Sequence, residues 1–343
     1  MKTPNKTLSV IIPVYNVEKY LAQCLNSVLA VSVENMEILC VNDGSTDGSL
    51  EILQAHSLRD GRIEVINKPN GGYGHSCNLA MRRARGEYIA IVEPDDFIDP
   101  MMYATLLSVA KSKDLDVLKC GYYEYFDGDD SQQAQCKIAQ WTQRTQKIAP
   151  QNDVFTIKDC PALLFFHPSI WAGVYKRAFL LRHKIAFVEA KGAGWVDNPF
   201  ALQTLCLAER IGTIKTPYYF YRQSNPEASS HLKDFTIPLD RVCDMQAFFR
   251  DFAKTPAFCP QLIVPVLKKY TRYILLAIYV GKKAHIPECH IHARVASVVE
   301  AIRQDFAIPP VFAIWFWLFL HVPMGVIAPI YGCLKWLKYK IFR

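Results

Sequence analysis

Apolar residues 8–14 form a short, nearly continuous run, which reads as a buried strand. Residues 17–30 then change period. Val17, Tyr20, Leu21, Cys24, Leu25, Val28 and Leu29 fall on one helical stripe. The same alternation repeats three times. Residues 37–41 predict a strand ending in Asn42-Asp43-Gly44-Ser45, followed by a helix near 47–56. Residues 63–67 predict a third strand, then a glycine-rich loop and a helix near 75–84. Residues 88–92 predict a fourth, ending in Glu93-Pro94-Asp95-Asp96. Pro100 then suits the first turn of a helix over 101–113, and 117–126 returns to strand. Strands alternating with helices imply an α/β fold with a mostly parallel sheet flanked by helices, whose ligand sits at the carboxyl ends of the strands.

Beyond this point the pattern loosens. Residues 127–153 are polar and Gln-rich and read as a loop or excursion. Helices are expected over 159–166, 176–183, 199–211, 237–252 and 265–280, with strands over 171–175 and 218–222. Residues 289–292, Cys-His-Ile-His, hold ligand-type side chains, but no second cluster completes a zinc site, and a solvated loop is expected. Residues 311–334 carry no Asp, Glu, Lys or Arg and include Phe312, Trp315, Phe316, Trp317 and Phe319. This is an added C-terminal segment that is apolar on all faces.

Composition narrows the classes. With 343 residues and 51% hydrophobic content the chain can bury a large core. Eleven cysteines without a Cys-x-x-Cys pair argue against a disulfide framework and for a reducing compartment. The polar residues 1–6 and the short apolar run after them do not make a signal peptide. The net charge is +7, and after Asp305 there is no acidic residue, while Lys335, Lys338, Lys340 and Arg343 crowd the end. Those charges follow an aromatic stretch without the interleaving of a base reader, so no nucleic-acid partner is expected; an anionic membrane surface fits better. Pro323 and Pro329 break the segment, which suggests a re-entrant or in-plane arrangement at the cytoplasmic face.

Candidate chemistry collects at strand ends. Pro13, Tyr15 and Asn16 close the first strand and Asp43 the second; Gly71 and Gly72 follow the third, with Asn78 in the next helix; Asp95 and Asp96 follow the fourth. Tyrosine can stack on a base, and glycines let backbone approach phosphate or ribose. Gly72-x-Gly74 lacks the third glycine of a dinucleotide fingerprint and follows the wrong strand, and no Walker A loop exists.

The blocks 9–16 (Ser-Val-Ile-Ile-Pro-Val-Tyr-Asn), 41–47 (Val-Asn-Asp-Gly-Ser-Thr-Asp) and 87–96 (Glu-Tyr-Ile-Ala-Ile-Val-Glu-Pro-Asp-Asp) resemble the opening of the family-2 glycosyltransferases with the GT-A fold, of the bacterial polysaccharide and lipopolysaccharide type. The resemblance covers roughly the first third of the chain. It implies that Tyr15 stacks near a nucleobase, that Asp43 binds it, and that Asp95 faces the ribose or sugar. It implies too that Asp96 holds a divalent metal, Mn²⁺ or Mg²⁺. Asp197, before Pro199, matches the family's catalytic base, although Val196 stands where the preceding glutamate is usual. Arg222 and Ser229-Ser230-His231 are similar to the segment that folds over the diphosphate, with His231 a third metal contact. The resemblance therefore implies inverting transfer from a UDP-sugar to a hydroxyl of a saccharide or lipid-linked saccharide. The alternative, motivated by Val196, is a non-catalytic scaffold or sugar-binding protein that retains the fold; a nucleotidyltransferase would need a basic glycine-rich loop after the first strand, where Tyr15-Asn16-Val17-Glu18 stands. Trp171 and Trp195 are candidates for a sugar platform or for plain core aromatics. The expected domains are 1–235 for the transferase (nucleotide half about 1–125, acceptor half about 150–235), 236–305 for a helical extension, and 306–343 for the membrane-associating end.

Overall fold

Seven strand residues in a row, from Leu8 to Val14, are buried, because both faces of the strand are covered by helices. A computed structural model describes residues 6–128, 133–150, 154–192, 194–228 and 233–329. They divide into two compact units, Met1–Cys160 with His167–Pro226, and Pro161–Phe166 with Glu227–Arg343.

The first unit opens with β1 (Lys6–Val14), α1 (Glu18–Leu29), β2 (Met36–Asn42), α2 (Ser49–Arg59), β3 (Ile63–Asn67), α3 (Tyr73–Arg83) and β4 (Gly86–Ile91). β1 pairs in parallel with β2 and β4, and β2 with β3. On α1, Tyr20, Leu21, Cys24, Leu25 and Val28 are buried, as the stripe predicts. Then come β5 (Phe97–Ile98), α4 (Met102–Ser112), β6 (Val117–Phe126), β7 (Gln135–Ile138), α5 (Gln140–Ile148), β8 (Gly173–Lys176), α6 (Arg177–Arg182), α7 (Asp197–Leu207) and β9 (Ile211–Arg222). The sheet runs β3-β2-β1-β4-β8-β6-β9-β5, with β7 on β6. It is parallel through its first four strands and mixed beyond, where β8 runs against both β4 and β6, and β6 pairs in parallel with β9.

Two elements lie in what reads as a polar excursion. β7 is exposed along its length, so no alternation of buried and exposed positions marks it. α5 is held by Thr142, whose hydroxyl donates to the Tyr122 carbonyl and accepts from the Tyr122 N–H. The helix expected over 159–166 is a short 3-10 turn, Pro161–Phe165.

The second unit is helical: α8 (Thr236–Phe252), α9 (Ile263–Lys283), α10 (Glu288–Asp305) and α11 (Pro310–His321). Cys289, His290 and His292 are not on a loop but in the first turns of α10, where Ile291 is fully buried and His292 Nε2 lies 2.9 Å from the Leu320 carbonyl. α11 packs Phe312, Phe316 and Phe319 inward and leaves Val311, Ile314 and Trp317 exposed. It stops just before Pro323, whose ring cannot continue a helix. The chain then folds back, and the Met324 N–H donates to Glu288 Oε1 at 2.7 Å. No helix among the described residues is long and apolar enough to cross a membrane. The basic end, 335–343, lies outside the described residues.

Candidate active site

The carboxyl ends of β1 and β2 are tied together by short polar side chains. Tyr15, just past β1, is half exposed at 51%, and its ring is presented to solvent. Asn16, with φ of +49°, accepts from the Thr46 N–H at 2.8 Å and donates its own N–H to Ser45 Oγ. Pro13 is buried within β1. Asp43 is 4% exposed; its oxygens accept from the Gly71 N–H (2.8 Å), the Gly72 N–H (2.9 Å) and the Lys68 ammonium. It therefore shapes the glycine loop from within, a different job from the direct nucleobase contact that the resemblance implies. Gly72 has φ of +88°, and a Cβ there would overlap the carbonyl oxygen of Ala190. What approaches this glycine is the chain's own 190–192 segment, and Gly192 accepts from the Tyr73 N–H at 2.9 Å.

Three carboxylates follow β4. Glu93 and Asp95 are half-buried, whereas Asp96 is 1% exposed. Asp96 Oδ2 accepts from the Tyr219 hydroxyl at 2.7 Å and Oδ1 from the Arg222 N–H at 2.7 Å. Both oxygens are thus used to pin β9 to the β4 end, an arrangement that differs from the metal contact expected of Asp96. Asp95 faces the cleft, with one oxygen accepting from Asn225 Nδ2 at 2.7 Å. Arg222 also departs from expectation. Its guanidinium is buried, donates to the Asp95 carbonyl at 2.6 Å and to Gln23, pairs with Asp127, and lies 4.6 Å over the Tyr20 ring. Three of its five N–H donors are engaged inside the protein, so it braces the site.

Glu93 lies in the 87–96 block, but the resemblance assigns it no role. The Tyr73 hydroxyl donates to its Oε1 at 2.6 Å, and its N–H donates to the Tyr219 hydroxyl at 3.1 Å. Exclusion of water pushes its carboxyl up to about 8, with Asp95 and Asp197 adding repulsion. Burial likewise lifts Asp95, and lifts Asp96 strongly with help from Asp95.

Asp197 opens α7, where backbone N–H groups and the helix dipole favour a carboxylate, and Asn198 Nδ2 donates to its Oδ1 at 3.0 Å. Its charge is felt by Glu93, Tyr73 and Tyr221, which places it in the same cleft. The loop before it is wound tightly, with positive φ at Gly192, Gly194 and Trp195. Asn78, expected to touch the donor, instead holds this loop: its Oδ1 accepts from the Phe187 N–H at 2.9 Å, and its Nδ2 donates to the Phe187 carbonyl and to Glu189. Trp171 is 3% exposed, stacked 4.2 Å from Tyr219 and 5.0 Å from Tyr221, so it is core and not a sugar platform. Ser229, Ser230 and His231 lie outside the described residues.

Comparison with known proteins supplies the class of this cleft. Residues 9–167 match the profile described as Glycosyl transferase family 2. The chain is 30% identical over 234 residues to the uncharacterized glycosyltransferase EpsJ of Bacillus subtilis, which covers 66% of this chain and 63% of that protein. The crystal structure of S. aureus TarS 1–349 in complex with UDP-GlcNAc superposes with a TM-score of 0.66 at 20% identity, covering 86% of this chain and 81% of that one. Residues 9–167 belong to glycosyltransferase family 2, and the fold is GT-A. A mannosyltransferase from Pyrobaculum calidifontis in complex with GDP-Man and Mn²⁺ shares the fold more loosely, at a TM-score of 0.53 and 15% identity over 96% of this chain and 85% of that one. The chain spans less than two thirds of the length of EpsJ.

In this family-2 domain the carboxylates that could hold a divalent ion are Asp95 and its neighbour Glu93. Asp95 offers a hard carboxylate oxygen to the cleft, flanked by Glu93. Among the described residues no three His, Cys, Asp or Glu side chains already form a ligand cluster. Crowded acids lifted by burial are nevertheless what a nearby cation relieves. Val196, which replaces the usual glutamate, is fully buried beneath the start of α7.

Proposed function

We propose that the protein is a metal-dependent, inverting glycosyltransferase that moves a sugar from a UDP-sugar to a hydroxyl of a saccharide or lipid-linked saccharide. The observation that carries this reading is the meeting of the half-buried Glu93 and Asp95, from the segment after β4, with Asp197, from the start of α7. Asp197 serves as the base that takes the acceptor hydroxyl proton, oriented by Asn198. Tyr15 offers its exposed ring to the base of the donor. Asp95, with His231 as a further contact, would hold Mn²⁺ or Mg²⁺, which supplies the positive charge that a departing diphosphate needs. Single displacement with inversion rests on the family resemblance together with Asp197 as the single base. The UDP-GlcNAc complex of TarS and the Mn²⁺ complex of the mannosyltransferase support donor and metal classes.

The test is release of UDP from UDP-sugars, UDP-GlcNAc first, with Mn²⁺ and with chelator. Metal-dependent release supports the reading, and no release from any UDP-sugar overturns it. We also propose that the second unit rests on the cytoplasmic face of a membrane through the exposed Val311, Ile314 and Trp317 of α11, with the basic end on anionic headgroups.

A further inference from the structure

Tyr219 and Tyr221 stand two apart on β9 and so present their rings to one face of the sheet. Trp171 backs both, stacked 4.2 Å from Tyr219 and 5.0 Å from Tyr221. The two hydroxyls differ. That of Tyr219 belongs to a fully buried side chain and is spent on Asp96 and on the Glu93 N–H. Tyr221 is only half-buried, and among the described residues its hydroxyl has no hydrogen-bond partner. It stands between Tyr219 and Arg222, the two residues that bond Asp96, and so borders the cleft. Burial raises its hydroxyl above the usual phenol range, and Asp96, Asp95 and Asp197 add to the rise, so it stays a proton donor within the field of three acids. A second ring is held beside it. The His167 ring is exposed and lies 5.9 Å from that of Tyr221, tilted by 44°. A buried ammonium fixes its place: Lys119, 5% exposed, donates to the Pro168 carbonyl at 2.6 Å and to the Ser169 carbonyl at 2.8 Å. The Ser169 N–H in turn donates to His167 Nδ1 at 3.1 Å. A buried charge spent on the 167–169 turn sets this ring in place before any ligand arrives, which lowers the ordering cost of binding.

We infer that Tyr221 and His167 form the platform on which the acceptor sugar lies, and that this sugar is a neutral pyranose. Resting on the proposed transfer reaction, the inference adds where the acceptor binds and its charge class. An aromatic ring offers an apolar face with a polar tip, which matches the C–H face and hydroxyl edge of a pyranose. The acids nearby accept from sugar hydroxyls and turn away an anionic sugar. Tyr221 shares the cleft with Asp197, so a pyranose stacked there brings its hydroxyls to the base. The nucleobase is assigned to Tyr15, at the end of a different strand, and the two rings do not compete.

The experiment is saturation-transfer NMR of the full chain with UDP and Mg²⁺ present, using the methyl pyranosides of glucose, galactose, mannose and N-acetylglucosamine beside methyl glucuronide. At least one neutral glycoside should bind, with saturation strongest on the protons of one ring face, and the glucuronide should bind about tenfold more weakly or not at all. Tyr221→Leu should raise the dissociation constant of the neutral glycoside about tenfold, the scale of one stacked ring, while affinity for UDP stays within about twofold. Tyr221→Phe retains the stack on Trp171 and should stay within about threefold of the parent. His167→Ala, altered at an exposed side chain, should weaken binding by about threefold. Binding of no neutral glycoside, tighter binding of the glucuronide, unchanged affinity in Tyr221→Leu or His167→Ala, or a matching loss of UDP affinity would each overturn the inference. UDP release from UDP-sugars is measured in parallel. Release without glycoside binding sinks the platform alone, and glycoside binding without release sinks the proposed reaction.

Discussion

Adjacent aspartates can do opposite work. Asp95 is open to the cleft, and Asp96 is enclosed by Tyr219 and Arg222. Asp96→Ala should lower stability by about 3 kcal/mol, since it strips a buried hydroxyl and a buried N–H of their acceptor. Asp95→Asn should leave the melting temperature nearly unchanged while abolishing the response of UDP release to Mn²⁺. Thermal melts and a metal titration of both variants separate the roles, and an unaltered Asp96→Ala melt would return the metal to that residue. Asp197→Asn should keep donor binding and cut kcat by about 10²-fold or more, because an amide caps a helix but takes no proton. Full turnover in that variant would reduce Asp197 to a cap. These distinctions escape a reading of motifs for a definable reason. Asp96 and Tyr219 are 123 residues apart, so whether a carboxylate meets a ligand or a partner is decided by a strand that sequence neighbours say nothing about.

At the level of elements, the legible parts were those whose faces differ. The first four strands and three helices carry clear periods because helices cover both sides of the sheet. β7, with all four residues exposed, and residues 289–292 at the start of α10, which mix Cys and His with one buried Ile, give weak periods and read as loop. Loops obey tighter rules than their polarity suggests. Gly72→Ala should destabilise the domain and lower kcat together, since the added carbon strikes the Ala190 carbonyl and shifts the loop that ends at Asp197. Loss of donor affinity alone, with kcat intact, would contradict that role. Arg62 clamps the ends of α1 and α2, donating to the Leu29 carbonyl at 2.8 Å and bridging Asp60 at 2.8 Å. Hydrogen bonding from Arg62 holds the Asp60 carboxyl below its usual range. The unfolded chain thus binds this proton more readily. The clamp's contribution is whole above the unfolded value of about 3.9 and is lost as pH falls through the lower folded value. Asp60→Asn should cost about 1 kcal/mol at pH 7, discounted for partial exposure, and less near pH 2. Denaturant melts at the two pH values decide it; an equal cost at both would mean the ion pair is idle.

On the scale of the whole molecule, the C-terminal apolar run is neither free of the protein nor wholly within it. Phe312, Phe316, Phe319, Met324 and Ile327 belong to the core of the second unit, so deleting this stretch would open that core and confound any test of membrane binding. The cleaner test is Ile314→Glu with Trp317→Glu, both more than half exposed. That pair should leave the fold intact and reduce cosedimentation with phosphatidylglycerol vesicles by about tenfold or more, as apolar contact is replaced by like charge. Unchanged cosedimentation would assign the exposed face to something other than lipid. In the first unit, the fit of the 190–192 segment onto Gly72, and of Val188 onto Gly74, has a consequence for protein engineering. Residues 71–78 and 187–197 form one transplantable cassette. A chimera that takes the 187–197 stretch from a relative without the matching glycine turn and Asn78 would carry the start of α7 in the wrong place, and libraries that vary either stretch alone will sample mostly mismatched loops.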